Sequence, residues 1–215
     1  MTKFTFAQRE EGFDNHIEHS IRGYTNLWND VLKYSEYFVE DDTNIVDIGC
    51  STGKLQKAMI LQNTFAPRAN YIGIEVEEDF FGSYDADEKS YTNLSYHRGD
   101  VREYDFTNCS LVTSIFTLQF IPEKERTAII KQIYDGLNLG GAFIFAEKTI
   151  ADTGRFQDMF TFTYYDYKRK SFTEKDIMDK EVTLRNMLKP NTWKELTDML
   201  HSAGFKNVQP FWRNF

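Results

Sequence analysis

Apolar positions along the chain alternate between helical spacing and short continuous runs, and that rhythm predicts most of the elements. Over residues 22–38, Tyr24, Leu27, Trp28, Val31, Leu32, Ser35 and Phe38 recur three or four apart, as on one helical face. Residues 44–48 then form a compact run with Ile45, Val46 and Ile48, which reads as a buried strand. Small residues follow from Gly49 to Gly53, and Leu55, Ala58, Met59 and Leu61 resume helical spacing from Lys54. Further strands are predicted over 70–75, 94–98, 109–116 and 142–147. Between the last two, residues 123–137 carry the stripe Ile129, Ile130, Ile133, Tyr134 and Leu137, with acids in the first turn.

Strand and helix alternating in this way predict an α/β fold, a mostly parallel sheet with helices on both faces. Past Lys148 the pattern changes. Residues 156–168 and 173–188 read as two helices rich in aromatics and charge, before a core-type helix over 192–201. Ala203-Gly204-Phe205 closes that helix and begins an expected sixth strand through Phe211. The chain is therefore expected to be a single domain over 1–215, with a helical cap or interface insertion at about 150–190 between the fifth and sixth strands.

Composition narrows the function classes. The 215 residues are 41% hydrophobic with only 4 prolines, enough for a full α/β core. A net charge of −8 supplies no basic field, so direct nucleic-acid binding is not expected. The run from Tyr164 to Lys170 mixes bases with aromatics that could stack on RNA, but a solvated helix end suits the overall acidity better. Cys50 and Cys109 lack metal-binding or disulfide spacing, so a reducing, cytoplasmic location is expected and no metal. No apolar run approaches membrane length. His16 and His19 read as surface polar residues.

The glycine turn limits the ligand. Gly49 to Gly53 is one residue too short for a phosphate loop, and Leu55 follows Lys54 where a hydroxyl is needed. The dinucleotide pattern fails too, because Cys50 and Ser51 follow Gly49. What remains, Asp47-x-Gly49-x-x-x-Gly53, is similar to motif I of the class I S-adenosylmethionine (SAM) methyltransferases; an ordinary βα turn is the alternative. Glu75 ends the second strand, 22 residues beyond Gly53, where a carboxylate can accept both ribose hydroxyls. A surface acid among Glu75, Glu77, Glu78 and Asp79 is the plainer reading. Asp100, just past the third strand, can take the adenine amino group or simply stabilise a turn.

Several blocks together resemble one family. Gly23-Tyr24-Thr25-Asn26, Asp47-Ile48-Gly49-Cys50-Ser51, Gly99-Asp100-Val101-Arg102, Phe116-Thr117-Leu118-Gln119-Phe120, Glu147-Lys148 and Ala203-Gly204-Phe205 are similar to those of the carboxy-SAM synthases, over nearly the whole chain. The resemblance implies a Rossmann-like class I methyltransferase fold, a dimer, and conversion of SAM and prephenate, a small-molecule cosubstrate, to carboxy-SAM. A tRNA-modifying partner enzyme would use that product. It implies that Tyr24 meets the methionine end of SAM, that Gly49 and its neighbours carry the backbone path, that Glu75 holds the ribose, and that Asp100 and Val101 meet the adenine. Catalytic residues are not identified.

Three departures accompany the resemblance. Ile115 stands beside the ligand where the family has Asn. Glu181 stands where the family has the Arg that holds the added carboxylate, and Arg185, one helical turn on, is the candidate to replace it. The family's last strand has no counterpart after Phe211–Phe215. Plain methyl transfer, or a non-catalytic SAM-binding protein, are the competing readings.

Overall fold

The computed structural model describes residues 12–214, without the side chains of residues 13–15 and 186. Five strands build the main sheet: β1 (Asn44–Ile48), β2 (Asn70–Glu75), β3 (Leu94–Arg98), β4 (Cys109–Ile115) and β5 (Leu137–Ala146). They run parallel in the order β3-β2-β1-β4-β5, so the order reverses between β1 and β4. Ligands in such sheets sit outside the carboxyl ends of the strands at that reversal. The glycine turn lies there, directly after β1.

Because both faces of a parallel sheet are covered, its central strands are apolar on alternate sides. Ile45, Tyr71 and Leu111 pack on one face beneath α2 (Tyr24–Ser35), α3 (Lys54–Gln62) and α4 (Tyr84–Ser90). Val46, Ile48, Ile74 and Val112 face the other way, onto α5 (Glu123–Gly136) and α8 (Trp193–Ala203). Thr192 caps α8 in a reciprocal box with Glu195.

The helical insertion is observed as α6 (Gly154–Lys168) and α7 (Glu174–Met187), bracketed by a short parallel pair, β6 (Thr149–Ile150) with β7 (Asn191–Thr192). Its exit is fastened by Arg126, a fully buried guanidinium on α5. Arg126 donates to the carbonyls of Ile121, Gln119 and Lys189 and to the Asn191 side chain. The insertion also meets α1 (Phe13–Ser20): Tyr167 donates to the Glu18 carbonyl, and Lys180 Nζ lies 2.7 Å from His16 Nε2.

One expected element is absent. Residues 205–214 form no strand, and the predicted sixth strand through Phe211 is corrected to an extended segment. Its apolar side chains dock elsewhere instead of continuing the sheet. Phe205 packs on Tyr134 and Phe143, Phe211 on Tyr34, and Trp212 on Phe116. Pro210 supplies no N–H for a ladder. Asn214 finishes the segment by bonding to both the side chain and the carbonyl of Arg22.

Candidate cofactor cleft

A cleft of about 2030 Å³ opens above the carboxyl ends of the strands, between the sheet, α1, the insertion and the 205–214 segment. Gly49, Ser51, Glu75, Ile115, Phe116 and Glu147 line its sheet side; Tyr164, Lys180 and Glu181 line the side formed by the insertion. Its volume exceeds the usual range for one small ligand, so a cofactor and a second substrate have room together.

The turn after β1 is held in place from several directions. Gly49 has φ 73°, and a Cβ there would stand 2.2 Å from Thr117 Oγ1, so the position requires glycine twice over. Its N–H donates to the Ile74 carbonyl at 2.8 Å, which ties β1 to β2. Beneath it, buried Asp47 accepts from Thr113 Oγ1 at 2.6 Å, and burial pushes its carboxyl up to about 7.

Glu75 closes the other side. Its Oε2 accepts the Ser51 N–H at 2.9 Å, while Oε1 accepts those of Val76 and Glu77, each at 2.9 Å. Burial raises its pKa, and the three amides oppose that rise by favouring the anion. A carboxylate can accept about four hydrogen bonds. The group at the cleft wall therefore braces the turn and keeps limited capacity for a ligand hydroxyl.

The other residues singled out from the sequence fall in different places. Tyr24 opens α2 half-buried, its ring 6.5 Å from that of Phe116. Cys50 and Gly53 turn towards the core under the loop, against Tyr84 and Tyr96 respectively. Val101 is buried in the α5 side of the core. Asp100 folds onto Arg102, accepting its backbone N–H and pairing with its guanidinium, which holds the carboxyl below its ordinary range. Ile115 reaches the cleft. So does Glu181, whereas Arg185 is exposed on α7 and is not among the lining residues; its charge and that of Glu181 are both felt at Tyr165.

Two features of the cleft were not foreseen from the residues alone. Phe116, at the exit of β4, is held at φ 59°, a conformation that costs a non-glycine residue energy and tends to occur at functional sites. Glu147, at the exit of β5, accepts the amides of Leu118 and Gln119 at 3.0 and 2.8 Å. Burial pushes its carboxyl up to about 8, against those amides and nearby Arg126. The available signal was its position, an acid ending an apolar strand as Glu75 does. Among the described residues, no group of three or more His, Cys, Asp or Glu side chains could hold a metal ion.

This geometry suits a nucleoside cofactor, and comparison with known proteins says which. A family profile described as "Methyltransferase domain" matches residues 45–141. A carboxy-S-adenosyl-L-methionine synthase of Staphylococcus epidermidis is 36% identical over 99% of this chain and 93% of its own length. The chain belongs to the carboxy-SAM synthase family. The synthase of Shewanella baltica is 30% identical over 100% of this chain and 90% of its own. As a carboxy-SAM synthase family member, the chain is a SAM-dependent transferase.

Solved structures agree on the fold alone. Phosphoethanolamine N-methyltransferase 2 of Haemonchus contortus, in complex with S-adenosyl-L-methionine, superposes with TM-score 0.60 at 13% identity, over 94% of this chain and 44% of that one. The YcgJ protein of Bacillus subtilis does so with TM-score 0.58 at 14% identity, over 84% and 68%. Among the described residues no helix is long and apolar enough to cross a membrane.

Proposed function

We propose that this chain makes carboxy-SAM from SAM and prephenate in the cleft above β1 and β4, and that a tRNA-modifying enzyme uses the product. The observation that carries the reading is the turn itself. Gly49 needs both its left-handed backbone and its missing Cβ, and Ser51 and Glu75 stand beside it on the cleft wall. A close backbone approach of this kind, with a carboxylate at the end of the next strand, is what a nucleoside cofactor requires.

SAM supplies an electrophilic, sulfonium-bound methyl group. The chain's own residues bind and orient it. Gly49 and Ser51 form the floor, with Asp47, Cys50 and Gly53 supporting it from below. Glu75 uses its remaining accepting capacity on the ribose, Val101 and Asp100 border the adenine, and Tyr24, beside Phe116, borders the methionine end with Ile115. The insertion at about 150–190 closes the second half of the cleft within one domain, around the cosubstrate. We also assign the protein to the cytoplasm and to a homodimer; Phe162 and Val182 expose apolar surface on the insertion, outside the cleft, that suits a partner copy.

A second reading, plain methyl transfer to another acceptor, is favoured by Glu181. A carboxylate on the cleft wall repels an added carboxyl group, and Arg185 is exposed one turn away. Mass spectrometry of the SAM product formed with prephenate separates the two: carboxy-SAM supports the synthase reading, and demethylated SAM with a methylated acceptor supports the other.

A further inference from the structure

Ser51 is the non-glycine residue of the motif turn that adopts a left-handed backbone, with φ 46°. Such a conformation is costly for an L-residue and persists when surroundings over-determine it. Two side chains from outside the turn do so here. Glu75 takes the Ser51 N–H at 2.9 Å, and Tyr84 donates its hydroxyl to the Ser51 carbonyl.

Tyr84 is well placed to hold that peptide. It opens α4 fully buried, and its ring stacks on that of Tyr96 from β3, with centroids 3.6 Å apart and planes 4° from parallel. Cys50 Sγ lies 3.3 Å from Tyr84 Oη. Since the phenol proton goes to Ser51, the thiol is the donor in that contact; burial raises the Cys50 pKa and keeps it protonated. Tyr96 is fixed in turn, donating to Asp87 Oδ2 at 3.1 Å, an oxygen that also accepts from Lys57 Nζ at 2.8 Å. The stack therefore links β3, α3 and α4 to one carbonyl of the turn.

We propose that Tyr84 is a positioning residue for the cofactor, holding the Ser51 peptide in its left-handed conformation so that the turn and Glu75 keep their places on the cleft wall. This rests on the reading of the cleft as the SAM site. Tyr84 touches neither cofactor nor substrate in this role; it acts through Ser51.

Tyr84→Phe removes the donor and keeps the ring. Its dissociation constant for SAM, measured by calorimetry, is expected to rise about 5- to 20-fold, the effect of one lost buried hydrogen bond. KM for SAM rises in the same ratio, with kcat at saturating SAM within about twofold. Glycine adopts the Ser51 backbone without a brace. Adding Tyr84→Phe to Ser51→Gly is therefore expected to change the SAM affinity by less than about threefold relative to Ser51→Gly alone. The double variant also decides the matter where Tyr84→Phe alone does not fold. Unchanged affinity in Tyr84→Phe, or a double variant about tenfold weaker than Ser51→Gly alone, overturns the proposal and leaves the SAM reading standing. A wild-type protein that binds no SAM overturns both.

Discussion

The turn after β1 and the helical insertion face each other across one cleft, yet they are specified in opposite ways. In the turn, Gly49 is tied to Ile74, Ser51 is held by Glu75 and Tyr84, Glu75 accepts three amides, and a Cβ at Gly49 has no space. Among the described residues the insertion is held mainly by side chains: Arg126 and Glu123 at its exit, with Phe172, Tyr167 and Lys180 against α1. Much of its surface is exposed, including Phe156, Phe162 and Val182. On the proposed function the cofactor side is rigid backbone at strand ends, and the cosubstrate side is side chains on helices, which tolerate substitution more readily. Of the two polar departures from the family, Glu181 lies on that helical wall of the cleft and Arg185 is exposed on the same helix.

The most damaging test of this contrast is Arg126→Met. It takes the guanidinium from the carbonyls of Ile121 and Lys189 and from the Asn191 side chain, leaves the Gln119 carbonyl only the Lys189 N–H, and is expected to cost about 3 kcal/mol of stability in denaturant titrations. Activity remaining at low temperature should show a larger rise in KM for the cosubstrate than for SAM. Equal rises would mean that the two sides are not separately supported. Gly49→Val should reverse that pattern, weakening SAM binding on the order of 100-fold by calorimetry through backbone strain and the clash with Thr117.

The pH dependence of stability sharpens the picture at the strand ends. Burial pushes the Glu147 carboxyl up to about 8, from an ordinary value of 4.5. Between those values the native protein keeps a proton that the unfolded chain has released, so stability falls as pH rises through that window. Asp47, near 7, acts in the same direction. The melting midpoint of the ligand-free protein is therefore expected to be higher at about pH 6 than at about pH 8.5, by about 2–4 °C for each kcal/mol. Glu147→Gln should flatten that slope; an unchanged slope would show that Glu147 does not set it. The smallest effect belongs to Arg185→Ala. Because Arg185 is exposed, it should change affinity for SAM and for carboxy-SAM by less than about twofold. A selective loss of carboxy-SAM binding would instead make Arg185 the replacement for the family Arg.

What could be read in the sequence follows the same division. The strands were legible because both faces of a parallel sheet are buried and their residues run apolar, and α5 because its isoleucine stripe keeps helical spacing. The turn after β1 was legible because its backbone demands small residues. Residues 205–214 misled because Phe205, Val208 and Phe211 are apolar enough for a strand, while their docking on Tyr134, Tyr34 and neighbouring groups is settled by tertiary contacts. Arg126 was invisible as one charge within a charged stretch, and Tyr84 as one aromatic among acids. In both cases the partner is a backbone carbonyl elsewhere in the chain, which leaves no mark on the residues that supply it.

On the proposed function, the cleft binds SAM at its rigid side and makes carboxy-SAM at its helical one. Incubating the purified wild-type protein with SAM and prephenate, and analysing the nucleoside products by mass spectrometry, tests it most directly. Carboxy-SAM formed over many turnovers is the expected result. Unchanged SAM, or demethylated SAM accompanying a methylated acceptor, would contradict it.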